Sequence, residues 1–237
     1  GKRIEERLNY EPYLFLPSND TTGYKTLNGS NVRKKNFASI SEARQFIRDH
    51  QDLSNFEYYG ITQFEYLYIY DHFPGKLTFD KKLFSLVSID IETRSLNGFP
   101  DPKRADQEIT LITFRKNNKS WMLGCKPYTP KSPNVKFVLC DNEKQLLQKL
   151  IQVWKYLDPD IITGWNSNNF DIVYIINRII NVLGEDKAKE LSPWGIIESR
   201  EYNTSWGDTQ IEYDIFGITT LDYLDLYKKF SYKSQES

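Results

Sequence analysis

The hydrophobic and polar positions of the chain change their pattern near residue 80. Before that point, the short apolar run PYLFL (Pro12–Leu16) lies beside polar clusters and predicts a strand. The run SISEARQFIRDH has apolar residues at helical spacing and predicts a helix with Ser41 as its N-cap. The aromatic run FEYLYIYDHF (Phe64–Phe73) predicts another strand. These elements indicate a small α+β domain over residues 1–80.

Residues 81–237 alternate runs of strand length with longer runs of helical spacing. The predicted strands are LFSLVSIDIE, EITLITF, KSWMLGC, the short edge strand VKFVLC, and DIITGWN. The predicted helices are DNEKQLLQKLIQVWKYL, with Asp141 as its N-cap, and NFDIVYIINRIINVLG, with Gly184 just past its end. Three consecutive strands, followed by strands that alternate with helices, predict a mixed sheet with helices on its faces.

The last part of the chain gives two further predictions. The stretch SREYNTSWGDTQIEYDIFGI alternates polar and apolar residues and predicts a hairpin around Trp206-Gly207-Asp208. The run TLDYLDLYKKF predicts a closing strand. A mixed sheet of this kind needs one more helix after its last strand, and we expect the sequence to end before that helix.

Composition narrows the possible functions. The net charge is −1, so binding to a nucleic acid would need a local basic patch or metal ions. The two cysteines, Cys125 and Cys140, lack C-x-x-C spacing and lie far from both histidines, which argues against structural zinc and indicates buried apolar cysteines. No apolar run approaches the ~20 residues of a membrane span. No secretory signal peptide is visible, so we expect no association with membranes.

The strand SLVSIDIETRS ends in two acids, Asp90 and Glu92, which one isoleucine separates. Side chains two residues apart in a strand point the same way, so both acids lie on one face while Val87, Ile89 and Ile91 take the other. Two neighbouring carboxylates repel each other and suit a shared divalent cation, Mg²⁺ or Mn²⁺. An exposed strand end with two solvated acids is the alternative.

A third acid, Asp171, ends the stretch TGWNSNNFD (Thr163–Asp171) between a predicted buried strand and a predicted helix. Ligand sites of α/β sheets commonly lie at such junctions. Taken alone, Asp171 also suits the first turn of a helix, where the helix dipole stabilises a negative charge. Taken with Asp90 and Glu92, it indicates a metal site.

DIE and GWNSNNFD together resemble the first two exonuclease motifs of the family B DNA polymerases. The second has the N-x-x-x-F-D form through Asn166, Phe170 and Asp171. More of the chain is similar to one branch, the replicative polymerases of T-even-type bacteriophages. The stretches with this likeness are GFPDPKRADQEITLITF, LDPDIITGWNSNNFDIVYIINRI and TLDYLDLYKKF, and, more weakly, NYEPYLF and KNFASISEARQFI.

The resemblance implies a ribonuclease H-like 3′–5′ exonuclease domain over residues 81–237, preceded by the polymerase N-terminal domain over residues 1–80. Such a domain removes mispaired nucleotides from the 3′ end of a primer as nucleoside monophosphates, with two ions of Mg²⁺ or Mn²⁺. By motif, Asp90 would bridge both metals and Glu92 would bind the metal that holds the attacking water. Asp171 would act on the second metal through its water shell.

The resemblance also implies contacts with single-stranded or primer–template DNA. Phe99 takes the place of a family aromatic that stacks on an unpaired base, an interaction worth ~1–3 kcal/mol. The alternative is a loop phenylalanine that is tucked into the core before Pro100. Thr93 and Asn166 are further candidate DNA contacts, and residues 197–220 match a family hairpin that helps to separate the strands.

One departure from the family concerns its third exonuclease motif, a tyrosine and an aspartate on a helix. SYKSQES has the tyrosine without the aspartate, and the polymerase catalytic domain and the family's first N-terminal strand have no counterpart. We therefore expect an N-terminal piece of a polymerase that is C-terminally incomplete and alone has weak metal binding and little or no exonuclease activity. The remainder of the polymerase would follow in the same polypeptide or come from a second chain, as in a split polymerase.

A second function class is a nucleic-acid-binding module. The stretch NVRKKNF (Asn31–Phe37) mixes basic and aromatic residues, and Arg33, Lys34 and Lys35 would contact template or messenger RNA. A solvated loop or strand is the alternative. Some other ribonuclease H-like nuclease fits less well, because residues 1–80 resemble the polymerase branch. That branch implies the cytoplasm of an infected bacterial host.

Overall fold

The computed structural model describes residues 6–76, 78, 80–95, 98–203 and 209–231. The chain divides into two compact units, Gly1–Phe79 and Asp80–Ser237. The predicted hairpin turn at Trp206-Gly207-Asp208 and the last residues of SYKSQES lie outside the described residues. In the described ranges, no helix is both long enough and apolar enough to cross a lipid bilayer.

The first unit combines a three-stranded antiparallel sheet with two helices in its described part. Its elements are β1 (Tyr13–Pro17), β2 (Tyr24–Lys25), β3 (Asn31–Asn36), α1 (Ile40–His50) and α2 (Phe64–His72). β3 is the central strand and pairs with β1 on one side and β2 on the other. The buried core of this unit consists of Leu14, Phe37, Ala43, Phe64 and Leu67, so the sheet and both helices contribute to it.

The N-cap of α1 is Ser39 and not the predicted Ser41. The Ser39 hydroxyl accepts a hydrogen bond from the N–H of Glu42 at 3.1 Å. The Glu42 carboxylate in turn accepts one from the N–H of Ala38 at 2.6 Å. This reciprocal pair satisfies two N–H groups at the start of the helix, and the helix therefore begins earlier than the sequence pattern suggested.

The predicted strand at Phe64–Phe73 was wrong, because this segment forms α2. Its two buried side chains, Phe64 and Leu67, are three residues apart and lie on one side of the helix. Tyr66 and Tyr70 are 62% and 69% exposed. Aromatic residues favour strands only where they pack on a half-buried sheet surface, and here the packing of Phe64 and Leu67 decides against a strand.

The second unit contains a mixed sheet of six strands, a two-stranded hairpin and four α-helices among its described residues. The sheet strands are β4 (Leu86–Thr93), β5 (Ile109–Lys116), β6 (Lys119–Gly124), β7 (Val135–Leu139), β8 (Ile161–Gly164) and β11 (Thr219–Asp222). The helices are α3 (Glu143–Leu157), α4 (Asp171–Leu183), α5 (Glu185–Lys189) and α6 (Tyr223–Phe230). The hairpin consists of β9 (Ile197–Asn203) and β10 (Thr209–Ile215).

The strand order of the large sheet is β11-β8-β4-β5-β6-β7. The strands β11, β8 and β4 are parallel, β5 is antiparallel to β4 and β6, and β7 is parallel to β6. This arrangement confirms the predicted mixed α/β sheet and is consistent with the ribonuclease H-like fold that the resemblance implied. The predicted edge strand is indeed the last strand of the sheet.

Helices α3 and α4 pack against one face of this sheet. Val87, Ile89 and Ile91 of β4 belong to the same buried cluster as the apolar residues of both helices. The α3 residues of this cluster are Leu146, Leu147, Leu150, Ile151, Trp154 and Leu157, as the helical stripe predicted. Because side chains alternate along a strand, Asp90 and Glu92 are directed to the opposite face.

Two predictions about helix ends in this unit need correction. Asn142, and not Asp141, caps α3, because its side-chain oxygen accepts a hydrogen bond from the N–H of Gln145 at 3.0 Å. The closing strand ends at Asp222, and α6 follows it where no helix was expected. The Asp222 carboxylate accepts from the N–H of Leu224 at 2.8 Å, and this N-cap marks the change from strand to helix.

Candidate active site

The candidate site lies where three parallel strands end at one edge of the sheet. Gly164, the last residue of β8, is level with Asp222, the last residue of β11. Asp90 and Glu92 lie in the second half of β4, and the loop of residues 165–170 follows β8. The carboxyl ends of parallel strands are where α/β sheets commonly bind ligands.

Asp90 and Glu92 are both exposed, and Ile91 between them is buried. The structure thus confirms that the two acids share the face of β4 that the core does not cover. The pairing of β4 with β5 shifts its register between Glu92 and Thr93, so an irregularity lies directly after the second acid, at the last residue of β4. Thr93, the predicted DNA contact, is partly buried at this point.

Asp171 is the first residue of α4 and is 5% exposed. Strand β8 pairs with β4 only as far as Ser88, so the backbone of Ile91 extends beyond the end of β8. The N–H of Ile91 donates a hydrogen bond to the Asp171 Oδ1 atom at 3.0 Å. The structure therefore holds Asp171 against the β4 backbone at the residue between Asp90 and Glu92.

The pKa of Asp171 is raised from its ordinary 3.8 to about 7, chiefly by burial. The hydrogen bond from Ile91 lowers this pKa, and the negative charges of Asp90 and Asp222 raise it. Negative charge is therefore concentrated at this edge of the sheet. A cation bound here would favour the carboxylate form of Asp171 and lower its pKa.

The three predicted acids suit a hard divalent cation in their chemistry, because Mg²⁺ and Mn²⁺ prefer carboxylate oxygens. Asp90 and Glu92 are open to solvent, and Asp171 is bonded to the backbone between them. Within the described part of the chain, no three His, Cys, Asp or Glu side chains are already arranged to hold a metal ion. The donor types fit a divalent ion, and the described side chains alone do not form a closed set of ligands.

A fourth acid at this edge, Asp222, was missed in the sequence. It is 3% exposed, and its carboxylate accepts hydrogen bonds from the N–H groups of Asn166 at 2.9 Å, Asn168 at 3.0 Å and Leu224 at 2.8 Å. The signal that could have found it is an aspartate directly before the helical run YLDLYKKF, which is an N-cap pattern. Its contacts with the loop of Asn166 have no sequence signal.

Asn166, a predicted DNA contact, shapes the loop that leads to Asp171. Its φ angle is +58°, in the left-handed region that asparagine tolerates better than most residues. Its side-chain Oδ1 accepts a hydrogen bond from the Asn169 amide at 3.0 Å, and its carbonyl accepts one from the N–H of Phe170 at 3.1 Å. These two hydrogen bonds of Asn166 are made within the loop, and its contact with DNA stays a prediction.

Phe99 is 84% exposed, so the alternative that tucks this side chain into the core is wrong. Its ring centroid lies 5.3 Å from that of Phe170, and the two planes are tilted by 47°. Phe170 directly precedes Asp171 in the chain. The exposed ring therefore stands beside the loop that leads to the buried acid, and its contact with a base stays a prediction.

The predicted hairpin is present as β9 and β10, which pair antiparallel from Ile197 opposite Ile215 to Asn203 opposite Thr209. The Tyr202 hydroxyl lies within hydrogen-bond distance of the Asn169 Oδ1 atom at 3.1 Å. One strand of the hairpin thus contacts the same loop that precedes Asp171. The proposed role of the hairpin in strand separation stays a prediction.

Arg33, Lys34 and Lys35 lie on β3 in the first unit. The Lys34 Nζ atom stands 3.7 Å from the ring centroid of Tyr13, and the Lys35 Nζ atom stands 5.0 Å from that of Phe46. These are cation–π contacts within the unit. The segment is a strand, as one of the alternatives had it, and the binding of template or messenger RNA by these side chains stays a prediction.

Comparison with known proteins identifies the family. The model of the DNA polymerase family B exonuclease domain matches residues 35–237. Over its whole length the chain is 31% identical to the DNA-directed DNA polymerase of Escherichia phage RB69, and 31% identical to that of Enterobacteria phage T4. The chain spans 29% of the length of each of these relatives.

A shorter match reaches a cellular relative. It covers 44% of the chain and 11% of the DNA polymerase delta catalytic subunit of Caenorhabditis elegans, at 32% identity. The region matched by the family model includes the whole second unit, and with it Asp90, Glu92 and Asp171. The chain therefore belongs to the exonuclease domain family of the family B DNA polymerases.

Proposed function

We propose that this chain is the proofreading 3′–5′ exonuclease portion of a DNA-directed DNA polymerase, preceded by the N-terminal domain of that polymerase over residues 1–80. Its reaction is the hydrolysis of the phosphodiester bond at the 3′ end of a primer strand. The observation that supports this most directly is the 3.0 Å hydrogen bond from the Ile91 N–H to Asp171, because it holds a buried acid against the backbone of the residue between Asp90 and Glu92.

Exonuclease domains of this family generally depend on divalent metal ions, and Mg²⁺ or Mn²⁺ would be held by Asp90, Glu92 and Asp171. When bound, two such ions supply activation of the attacking water and stabilisation of the leaving 3′ oxygen. Asp90 and Glu92 present exposed carboxylates to an incoming strand end. Asp171 accepts a hydrogen bond from the Ile91 N–H, so the β4 backbone helps to position this acid.

Phe99 gives the site a surface for an unpaired base. The ring is 84% exposed and is supported by Phe170, the neighbour of Asp171. Stacking of a base on such a ring is worth ~1–3 kcal/mol and tolerates any sequence, as removal of a mispaired nucleotide requires. Thr93 and Asn166 lie at the same end of the sheet and are proposed as further contacts with the strand.

The proposed partners are single-stranded or primer–template DNA and the remainder of a polymerase, in the same polypeptide or as a second chain. The 29% span of the phage relatives supports the former arrangement. The phage relatives also support action in the cytoplasm of an infected bacterium. Neither a second chain nor messenger RNA gains support from the described residues or from the relatives.

The test uses a labelled single-stranded oligonucleotide with Mn²⁺. Because the described acids do not form a closed ligand set, we expect weak Mn²⁺ binding and slow release of mononucleotides from the 3′ end. Both should be lost in Asp90→Ala and kept in Asp186→Ala, which removes an exposed acid of α5. Cleavage that survives in Asp90→Ala, or a chain that neither binds Mn²⁺ nor cleaves, would contradict the proposal.

A further inference from the structure

Asp222 makes more hydrogen bonds than the start of a helix requires. An N-cap needs one bond to its own helix, and Asp222 makes that bond to the N–H of Leu224 at 2.8 Å. Its other two bonds leave α6 and reach the N–H groups of Asn166 and Asn168, at 2.9 and 3.0 Å. The carboxylate is 3% exposed, and such a buried charge is stable only when donors surround it.

The two bonds that leave α6 fix the loop of residues 165–170. This loop begins after Gly164 and ends at Asp171, so it determines where the first residue of α4 lies. Ser167 in its middle is 1% exposed, and its carbonyl accepts a hydrogen bond from the N–H of Ile172 at 2.9 Å. The loop is therefore packed inward and is anchored to the first turn of α4.

Gly164 anchors the other end of the loop. A Cβ atom at this position would lie 2.8 Å from the carbonyl oxygen of Ile89 and 2.8 Å from the Cβ atom of Ser167. The chain thus approaches β4 more closely here than any side chain allows. Gly164 is the pairing partner of Asp222 in the register of β8 and β11. The close approach of Gly164 to β4 and the hydrogen bonds of Asp222 therefore both constrain the loop near its start.

We propose that Asp222 is a positioning residue for the exonuclease centre. By holding the N–H groups of Asn166 and Asn168, it fixes the loop that places Asp171 against the N–H of Ile91. The role matters because a misplacement of ~1 Å in a catalytic group can cost about a hundredfold in rate. The inference rests on the proposed function for its catalytic consequence, whereas the placement of Asp171 can be measured without any reaction.

Two substitutions separate the loop contacts from the helix cap. In Asp222→Ser, the hydroxyl can still cap α6, and it is too short and has too few oxygens to hold the loop as well. In Asp222→Asn, the shape and one acceptor are kept, and an NH₂ group replaces one acceptor oxygen. Asp225→Ser is the matched control, because Asp225 is an exposed acid in the first turn of the same helix.

The first readout is hydrogen exchange at the backbone amide of Ile91, followed by NMR. In Asp222→Ser we expect this exchange to rise about tenfold or more, with a smaller rise in Asp222→Asn and none in Asp225→Ser. Amides in the middle of α3 should keep their protection, and the helix content measured by circular dichroism should stay unchanged. Unchanged exchange at Ile91 in both Asp222 variants, or a uniform rise throughout the unit, would overturn the proposal.

The second readout is the cleavage of single-stranded DNA with Mn²⁺. For Asp222→Ser we expect kcat to fall about ten- to a hundredfold with KM nearly unchanged, because Asp222 is buried and does not reach the strand. A rise in KM alone would contradict a positioning role. If the exchange at Ile91 responds as expected while the wild type neither binds Mn²⁺ nor cleaves DNA, the placement by Asp222 stands and the proposed exonuclease function fails.

Discussion

The N–H of Ile91 and the carboxylate of Asp171 are joined by a 3.0 Å hydrogen bond across 80 residues of sequence. The bond occurs beyond the point where β8 pairs with β4, so the aspartate accepts from a backbone N–H that lies past the end of this pairing. On either side of Ile91 the exposed carboxylates of Asp90 and Glu92 face away from the core. Because this hydrogen bond holds Asp171 at the strand that carries Asp90 and Glu92, the three acids belong to one candidate site.

Asp171 gives the stability of the chain a defined pH dependence. Its pKa is about 7 in the folded chain against an ordinary 3.8, so between these values the folded state keeps a proton that the unfolded state releases. The resulting stabilisation is complete below about pH 4 and is lost as the pH rises through 7. Asp171→Asn should mimic the protonated form and keep the bond from Ile91.

Urea unfolding without metal ions measures this effect. At pH 8 Asp171→Asn should be more stable than the wild type, by at most ~4 kcal/mol because one pKa unit is worth ~1.4 kcal/mol. At pH 4 the two chains should unfold alike, and added Mn²⁺ should narrow the gap at pH 8 by stabilising the wild type. The same dependence on pH in both chains would show that Asp171 titrates near its ordinary value.

Phe99→Ala should weaken the binding of single-stranded DNA. The exposed ring offers a stacking surface beside Phe170, and its loss should cost ~1–3 kcal/mol, or roughly 5- to 150-fold in affinity. Fluorescence anisotropy with a labelled oligonucleotide in EDTA measures the affinity without cleavage. The control is Tyr156→Ala, since Tyr156 is 74% exposed on α3. Equal losses in the two variants would remove Phe99 from the proposed site.

Gly164→Ala should destabilise the second unit. The added methyl group would meet the Ile89 carbonyl and the Ser167 side chain at 2.8 Å, and overpacking of this kind costs ~1–3 kcal/mol. Gly23→Ala is the matched control, because a Cβ atom at Gly23 has no neighbour within 4 Å. Urea unfolding of both variants tests the prediction, and a Gly164→Ala chain as stable as the wild type would contradict the close approach of the loop to β4.

The ion pair of Arg178 and Glu143 should be a major support of the second unit. Arg178 donates two hydrogen bonds to Glu143, at 2.8 and 2.6 Å, and both side chains are largely buried. Arg178→Met leaves a buried carboxylate without its partner and should cost ~3–5 kcal/mol in the free energy of unfolding. The exposed pair of Arg200 and Glu212 offers the control, since Arg200→Met should change the stability little.

The double substitution of Arg178→Met and Glu143→Met checks the reason for this cost. Removal of both charges should recover part of the lost stability, because it removes the unpaired buried charge, although the Ile109 N–H loses its acceptor on Glu143. If the double variant is as unstable as the sum of the two single variants, the ion pair does not act as a coupled unit.

The sequence predicted the parts of the fold that depend on local periodicity. The alternation around Ile91 placed Asp90 and Glu92 on one face, and the apolar stripe of α3 was correct. The same reasoning failed at α2, where aromatic residues suggested a strand although the packing of Phe64 required a helix. Local pattern cannot decide such cases, because the propensity of aromatic residues for strands depends on what they pack against.

Contacts between distant segments could not be predicted from local patterns. Asp222 accepts hydrogen bonds from backbone N–H groups that lie 56 and 54 residues before it. Every residue except proline has such an N–H group, so the residue type does not show which of them is a partner. The bond from Ile91 to Asp171 is of the same kind. The motif of Asp171 suggested that the acid belongs to the site, and only the fold shows what holds it there.

The proposed function requires that Asp90, Glu92 and Asp171 share a divalent ion. The most direct measurement is the broadening of backbone amide signals in NMR spectra of the ¹⁵N-labelled chain as Mn²⁺ is added. If the three acids share an ion, the signals of residues 90–93 and of Asp171 should broaden first, and Asp90→Ala should abolish this selectivity. Broadening that begins elsewhere, or that persists in Asp90→Ala, would rule out a shared ion at these acids.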